Sequence, residues 1–153
     1  MKLQWKTLFI CIAIPLVVGG ISALLTRNSM ETFANINKPA LSPPAWLFPV
    51  VWTILYILMG IASYLVVTSP KTNTLALSVY LLQLFFNFMW SIIFFNLGLY
   101  LPAFLWLILL WLLILLTTFL FYSISKPAGH LMLPYLIWVT FAGYLNYAIF
   151  LLN

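Results

Sequence analysis

Five long apolar runs constrain this chain more than any other feature of its sequence. They cover about residues 7–26, 46–67, 75–96, 100–123 and 131–152, and none contains Asp, Glu, Lys or Arg. A helix needs about 20 such residues to cross the hydrocarbon core of a bilayer. Residues 108–116 show no alternation of polar and apolar side chains, which a membrane β-barrel would require. The sequence therefore predicts an all-α integral membrane protein, with one five-helix domain over residues 1–153.

The composition agrees with lipid as the main surroundings of the chain. Charged residues make up 5% of it and hydrophobic residues 66%, whereas soluble domains carry about 25% charged residues. The net charge of +5 comes from six scattered Lys and Arg side chains against a single Glu31. A nucleic-acid site would need clustered cations, so we expect a lipid bilayer as partner and no nucleic acid.

The positions of the cations predict the orientation in the membrane. Cytoplasmic loops carry an excess of Lys and Arg. With five spans, the cations divide between the two sides as follows: Lys2, Lys6, Lys71 and Lys126 on the side of the N-terminus, and Arg27 and Lys38 on the other. We therefore expect a multi-pass protein of the cell membrane whose N-terminus lies in the cytoplasm.

Few side chains that could carry acid–base or metal chemistry occur in the sequence. Ion-coupled transporters and proton relays usually need an ionisable group at membrane depth, and the five runs have no Asp, Glu, Lys or Arg. The chain has one His, one Cys, one Glu and no Asp. It therefore cannot form a metal site from a cluster of such side chains or a Ser-His-Asp triad. Residues 126–130 (KPAGH) are predicted to turn the chain between the last two runs. His130 is interpreted as a loop-end histidine of this turn, with ligation of a haem iron as the alternative. We expect no metal and no resident cofactor.

Aromatic rings and a few neutral polar groups are the chemistry that remains. They share helix faces on the second, third and fifth runs: Trp52 and Tyr56, then Asn87, Trp90 and Phe94, then Trp138, Phe141, Ala142 and Leu145. An amide such as Asn87 or Asn146 is costly against lipid, so each should point inward and find a partner. The rings either pack the helices together or form the walls of a pocket for a flat hydrophobic ligand.

Two further features concern packing between segments. Residues 27–45 form the only long polar segment and end with Pro39, Pro43 and Pro44. Loops of this length are usually either functional or disordered. The apolar members of this one predict that it packs on the bundle. Gly19 and Ala23 form a small-residue pair, which favours close helix packing within the monomer or, alternatively, in a homodimer.

Three segments carry a family pattern in the same order and spacing. They are KPALSPPAW at 38–46 followed by VWTILY at 51–56, NFMWS at 87–91, and LPYLIW at 133–138 followed by LNY at 145–147. In this combination the chain resembles the translocator protein family, also called tryptophan-rich sensory protein (TspO) or peripheral benzodiazepine receptor. Ser42 stands where animal members have His, so a bacterial member fits best. The resemblance implies a five-helix bundle whose long first loop covers one end of a ligand cavity.

The resemblance also implies a function. Members of the family bind porphyrins, including protoporphyrin and haem, and drug-like hydrophobic compounds. Some bacterial members degrade protoporphyrin in light, and the two tryptophans implicated there match Trp52 and Trp138. With Tyr56 from the aromatic stripe, the expected ligand-binding residues are Pro43, Pro44, Trp52, Tyr56, Asn87, Trp90, Trp138 and Ala142. A sensor or carrier of porphyrin is therefore expected. The alternatives are an uncoupled carrier of hydrophobic small molecules and a regulatory membrane partner without chemistry.

Overall fold

Helices are the regular elements of this chain. The computed structural model describes residues 2–153, and no strand occurs within that range. The α-helices are α1 (Trp5–Thr26), α2 (Met30–Asn35), α3 (Leu47–Val67), α4 (Thr74–Ser91), α5 (Tyr100–Ile124) and α6 (Lys126–Leu152). A π-helical turn, Ile92–Asn96, continues α4. Five of these helices, α1 and α3 to α6, are long and apolar enough to cross a membrane. The predicted all-α membrane fold is confirmed.

The five long helices close into a ring. Helix α1 packs on α3, α3 on α6, α6 on α5, α5 on α4, and α4 returns to α1. Side chains such as Met59, Ile114 and Tyr135 fill the interior and are at most 1% exposed. Large apolar side chains such as Phe9 and Ile137 are exposed on the outside. Helices that are apolar all round are typical of membrane spans, so the outer surface is suited to lipid.

Glycines set the close approach of α1 and α3. A Cβ added at Gly60 would lie 2.6 Å from the Ile12 Cα and 2.8 Å from the Cys11 carbonyl oxygen. On the opposite helix, Gly19 lies directly against the Tyr56 ring. The small residue Gly19 therefore serves packing within the monomer, one of the two uses that the sequence left open.

The predicted turn at residues 126–130 is wrong. These residues form the first turns of α6, and only Ser125, with φ −148° and ψ 115°, separates α6 from α5. Pro127 is tolerated there because the first turn of a helix does not use its backbone N–H groups. A Cβ at Gly129 would lie 2.8 Å from the Tyr122 Cα. The proline and glycine that suggested a loop therefore permit a tight helical hairpin.

The segment 27–45 is tied to one end of the bundle. It begins with a 3₁₀ turn, Arg27–Ser29, and with α2, and then continues without regular structure. The Ser29 hydroxyl donates to Asn96 Oδ1 at 2.6 Å, and the Asn37 backbone N–H donates to Asn153 Oδ1 at 3.2 Å. The Phe33 ring lies edge-on to Phe95 at 5.2 Å. The prediction that this segment packs on the bundle is confirmed.

Candidate functional site

Aromatic rings line the contact between α3 and α6. The Trp52 ring stacks on Tyr56 at 5.7 Å and meets Tyr135 edge-on at 6.2 Å. The Trp138 ring meets Phe48 edge-on at 5.9 Å. Phe48 and Trp52 are one turn apart on α3, and Tyr135 and Trp138 are about one turn apart on the antiparallel α6. Both indoles therefore lie along one seam. The α3/α6 aromatic seam is the name used below for Phe48, Trp52, Tyr56, Tyr135 and Trp138.

A chain of hydrogen bonds crosses the centre of the ring beside this seam. The Tyr56 hydroxyl donates to Asn87 Oδ1 at 3.3 Å, and Asn87 Nδ2 donates to the Tyr135 hydroxyl at 2.8 Å. That hydroxyl in turn donates to Gln83 Oε1 at 2.7 Å. Tyr56 is 8% exposed, and the other three residues are at most 2% exposed. These four residues are called the Asn87 layer below. The prediction that Asn87 points inward to a partner is confirmed.

A second buried amide holds another predicted site residue. Trp90 Nε1 donates to Asn146 Oδ1 at 3.0 Å, and Asn146 Nδ2 donates to the Tyr100 carbonyl oxygen at 2.8 Å. Trp90 is 8% exposed and Asn146 1%. The inward orientation predicted for Asn146 and Trp90 is therefore confirmed. Because the Trp90 indole N–H already has a protein acceptor, this ring offers a ligand mainly its apolar face.

Two buried donors have no hydrogen-bond partner within residues 2–153. They are Trp138 Nε1, in the α3/α6 aromatic seam, and Gln83 Nε2, at the end of the Asn87 layer. A buried donor without a partner costs about 1–3 kcal/mol. Such groups are rare in folded proteins, and each calls for a physical explanation. In the seam, the Trp138 indole N–H is the buried donor that is free to bind an acceptor on another molecule.

The loop lies beside the seam. Asn37 is bonded to Asn153, whereas Phe48 contacts Trp138, which precedes Asn153 by 15 residues on α6. Fifteen helical residues rise about 22 Å, so residues 38–47 must run down the C-terminal half of α6. Pro43 is half-buried and Pro44 exposed on this segment. Ala142, about one turn after Trp138, is half-buried as well.

Two open spaces lie away from the seam. One is an apolar groove of about 340 Å³ between α5 and α6, whose walls include Phe104 and Trp111. The other is a space of about 270 Å³ between α2 and the α4–α5 turn. Neither is lined by Trp52 or Trp138. Within the seam, Trp138 contacts Phe48, and Trp52 contacts Tyr56 and Tyr135.

His130 does not join the seam. Its side chain is exposed, and its ring meets Tyr122 edge-on at 5.6 Å. It lies in the first turns of α6, at the end of the bundle opposite the Asn37–Asn153 contact. Within residues 2–153, no three His, Cys, Asp or Glu side chains come close enough to hold a metal ion together.

Comparison with known proteins identifies the family. The sequence profile of the TspO/MBR family matches residues 11–152. The chain is 42% identical over 157 aligned residues to the tryptophan-rich protein TspO of Chlorobaculum tepidum, and the alignment covers 100% of this chain and 99% of that relative. The chain belongs to the TspO/MBR family. The family resemblance drawn from the sequence segments is therefore confirmed.

Other members of the TspO/MBR family are similar over most of their length. Protein CrtK of Rhodobacter capsulatus is 41% identical, with 79% of this chain and 78% of the relative covered. The translocator protein of Bos taurus is 32% identical, with 88% of this chain and 82% of the relative covered. Family membership and the five apolar helices together make this chain a multi-pass membrane protein.

Sequence reasoning missed three residues of this TspO/MBR site. Phe48 and Tyr135 complete the α3/α6 aromatic seam, and Gln83 ends the Asn87 layer. A signal for Gln83 existed, because it is a polar residue one helical turn before Asn87 within an apolar run. Tyr135 lies in the LPYLIW segment, but nothing in the sequence pairs its hydroxyl with residues on α4.

Replacing Asn87 by Leu should destabilise the bundle. The change removes the amide that joins Tyr56 to Tyr135 and leaves the Tyr56 hydroxyl without its acceptor. Buried hydrogen bonds in membrane proteins contribute on average about 0.6 kcal/mol each, up to about 1.7. We expect a loss of about 1–3 kcal/mol, measured by thermal or denaturant unfolding in detergent.

The matched control is Asn35→Leu on α2, where the amide is exposed. That variant should unfold within about 0.5 kcal/mol of the parent protein. Equal stability of the parent protein and of the Asn87→Leu variant would show that the Asn87 layer contributes nothing to stability.

Proposed function

We propose that this TspO/MBR protein binds porphyrins, such as protoporphyrin and haem, and similar flat hydrophobic ligands at the α3/α6 aromatic seam. One observation carries the proposal. Trp138 Nε1 is a buried donor without a partner, and it belongs to a wall of aromatic rings. Small-molecule sites combine apolar walls with a few placed polar groups. The rings suit the face of a macrocycle, and the indole N–H suits an acceptor such as a carboxylate oxygen.

The loop supplies a route to the seam. Within residues 38–47, the backbone hydrogen bonds close local turns. The Ser42 N–H donates to the Pro39 carbonyl oxygen and the Leu47 N–H to the Pro44 carbonyl oxygen, each at 3.0 Å. A segment that depends on local bonds opens at a lower free energy than the packed helices do. We infer that residues 38–47 move aside to admit the ligand. Pro43 and Pro44 limit the conformations that the open segment samples.

The names of two relatives suggest two roles for such binding. One relative is the tryptophan-rich sensory protein of Cereibacter sphaeroides, 35% identical, and another is the translocator protein of Bos taurus. The Asn87 layer favours a ligand that is sensed or degraded where it binds over a ligand that passes through the bundle along the ring axis. It joins α3, α4 and α6 by hydrogen bonds, and each would have to break for a ligand to pass. An uncoupled carrier is therefore the second candidate.

The test is a dark titration of the purified protein with protoporphyrin, followed by quenching of tryptophan fluorescence. We expect saturable binding with one site per chain. Trp138→Phe keeps a ring but removes the donor. This change should weaken binding at least about tenfold if the acceptor is charged, because such hydrogen bonds contribute about 1.5–3 kcal/mol. Trp5→Phe is the matched control, since Trp5 is 73% exposed at the far end of α1.

Each outcome of the titration bears on the proposal. Loss of affinity in Trp138→Phe with unchanged affinity in Trp5→Phe supports binding at the seam. Non-saturable quenching would mean that protoporphyrin only partitions into the detergent or the lipid, and equal affinities for the two variants would place the ligand elsewhere.

We also propose that the protein lies in the cell membrane with its N-terminus in the cytoplasm. Four cations, Lys2, Lys6, Lys71 and Lys126, fall on the proposed inner side, against Arg27 and Lys38 on the other. Alkaline phosphatase fused after Asn153 should be active in bacteria, since that enzyme folds only outside the cytoplasm. Activity of a fusion placed at Lys71 instead would reverse the orientation.

A further inference from the structure

We propose that the space between α2 and the α4–α5 turn, called the α2 pocket below, binds a small uncharged ring compound that carries one hydrogen-bonding group. The pocket has a volume of about 270 Å³ and is lined by residues before and in α2, at the end of the π-helical turn, and at the start of α5. This inference concerns a site separate from the α3/α6 aromatic seam and does not depend on the function proposed there.

The floor and one wall of the α2 pocket are aromatic. Phe94 is 3% exposed and forms the floor. The Phe33 ring lies 5.9 Å from the Phe94 ring, and the Tyr100 ring lies 5.0 Å from the Phe94 ring. Edge-to-face ring pairs are favourable arrangements, and a further ring can join such a cluster. The inner part of the pocket therefore suits the ring of a ligand.

The rim of the α2 pocket is polar and neutral. Asn28, Thr32 and Asn96 contribute exposed amide and hydroxyl groups, and no charged side chain is among the lining residues described. Amides and hydroxyls both donate and accept hydrogen bonds. Lys38 Nζ lies 4.9 Å from the centre of the Phe33 ring but does not line the pocket. A charged ligand would therefore face an aromatic floor without an ion partner inside the pocket, which is costly. The lining thus selects an uncharged compound with a group such as an amide or a hydroxyl.

Side-chain hydrogen bonds join the two walls of this pocket. The Ser29 hydroxyl, just before α2, donates to Asn96 Oδ1 at 2.6 Å, and Asn96 Nδ2 donates to the Leu25 carbonyl oxygen at 3.1 Å. The π-helical turn Ile92–Asn96 ends α4 here, and such turns occur frequently at functional sites. Gly98 has φ +62°, a conformation that glycine adopts without strain, and it leaves the mouth of the pocket without a side chain.

The volume of the α2 pocket limits the size of the ligand that it can hold. Sites for drug-sized molecules have volumes of about 300–1,000 Å³, and the α2 pocket lies just below that range at about 270 Å³. A compound with one or two fused rings fits this space, whereas a porphyrin macrocycle does not. The pocket also has a neighbouring reporter, because the Phe94 ring stacks on Trp90 at 5.2 Å.

The experiment uses benzamide as the uncharged probe and benzoate as its charged counterpart, with the full-length protein in lipid nanodiscs. Binding is measured by ligand-observed NMR, and the Trp90 indole signal reports the site. We expect saturable benzamide binding, at least tenfold weaker benzoate binding, and a shift of the Trp90 indole resonance. Asn28→Leu and Thr32→Val should each weaken benzamide about fivefold, as the loss of one hydrogen bond does.

Asn35→Leu is the matched control, because Asn35 lies on α2 but does not line the pocket. Asn28 and Thr32 are exposed, so their variants should fold and keep their affinity for protoporphyrin. Non-saturable benzamide signals, equal affinity in all variants, or benzoate binding as tight as benzamide would overturn the proposal. Displacement of benzamide by lipid titrated into detergent-solubilised protein would also overturn it, since the occupant would then be a lipid.

Discussion

Gly60→Val should prevent the bundle from folding stably. The new Cβ would lie 2.6 Å from the Ile12 Cα and 2.8 Å from the Cys11 carbonyl oxygen. Both are backbone atoms, so no side-chain rotation relieves the clash, and α1 must separate from α3. Overpacking typically costs about 1–3 kcal/mol and sometimes more, and we expect a loss of at least about 3 kcal/mol here. The measurement is the yield of monodisperse protein in size-exclusion chromatography, together with its melting temperature.

Gly20→Val provides the control for this prediction. A Cβ at Gly20 would meet nothing within 4 Å, and the position faces outward on α1. This variant should be purified in normal yield and melt within a few degrees of the parent protein. Normal folding of Gly60→Val would contradict the close contact of α1 and α3, and equal loss in both variants would indicate a general intolerance of β-branched residues in this region.

The double variant Trp52→Phe, Trp138→Phe should lose light-dependent bleaching of bound protoporphyrin. This prediction rests on the proposed binding at the α3/α6 aromatic seam. The apolar runs contain no Asp, Glu, Lys or Arg, so general acid–base catalysis has no obvious group there. A photoexcited porphyrin can instead take an electron from an adjacent indole, which leaves an indole radical cation and a porphyrin radical anion. Dissolved dioxygen is the co-reactant that then oxidises the macrocycle. A phenyl ring is a much poorer electron donor. We expect bleaching under light to slow at least tenfold, measured from the porphyrin absorbance at saturating ligand.

The control for the bleaching experiment is Trp5→Phe. The Trp5 ring is 73% exposed and lies at the start of α1. This variant should bleach the ligand at the rate of the parent protein. Bleaching in darkness, or full bleaching by the Trp52 and Trp138 double variant, would exclude a reactive role and leave these rings as binding surfaces.

The membrane fold could be predicted from the sequence because the bilayer imposes one requirement on every span. Twenty apolar residues without a charge are easy to recognise, and the five helices follow the apolar runs closely. The error at residues 126–130 arose because Pro127 and Gly129 are ambiguous. They suggest a turn in the sequence, yet a helix start accepts proline, and the contact with Tyr122 requires glycine.

The partners within the site were harder to predict, for a physical reason. Helices in lipid are apolar on every face, so hydrophobic periodicity does not indicate which face points inward. Only scarce polar residues carry that information, and they correctly indicated Asn87 and Asn146. The pairing of Asn87 with Tyr135, and of Tyr135 with Gln83, depends on the order of helices around the ring. That order is a property of the whole bundle rather than of any one segment.

The central claim is that Trp138 Nε1 binds a porphyrin in the α3/α6 aromatic seam. The most direct test is a ¹H–¹⁵N NMR spectrum of the indole groups during a dark titration with protoporphyrin. The seven tryptophans give seven indole signals, which single Trp→Phe variants assign. The Trp138 signal should shift most and saturate at one ligand per chain, while the signals of Trp5 and Trp111 remain in place. Saturable binding with an unchanged Trp138 signal would contradict the claim.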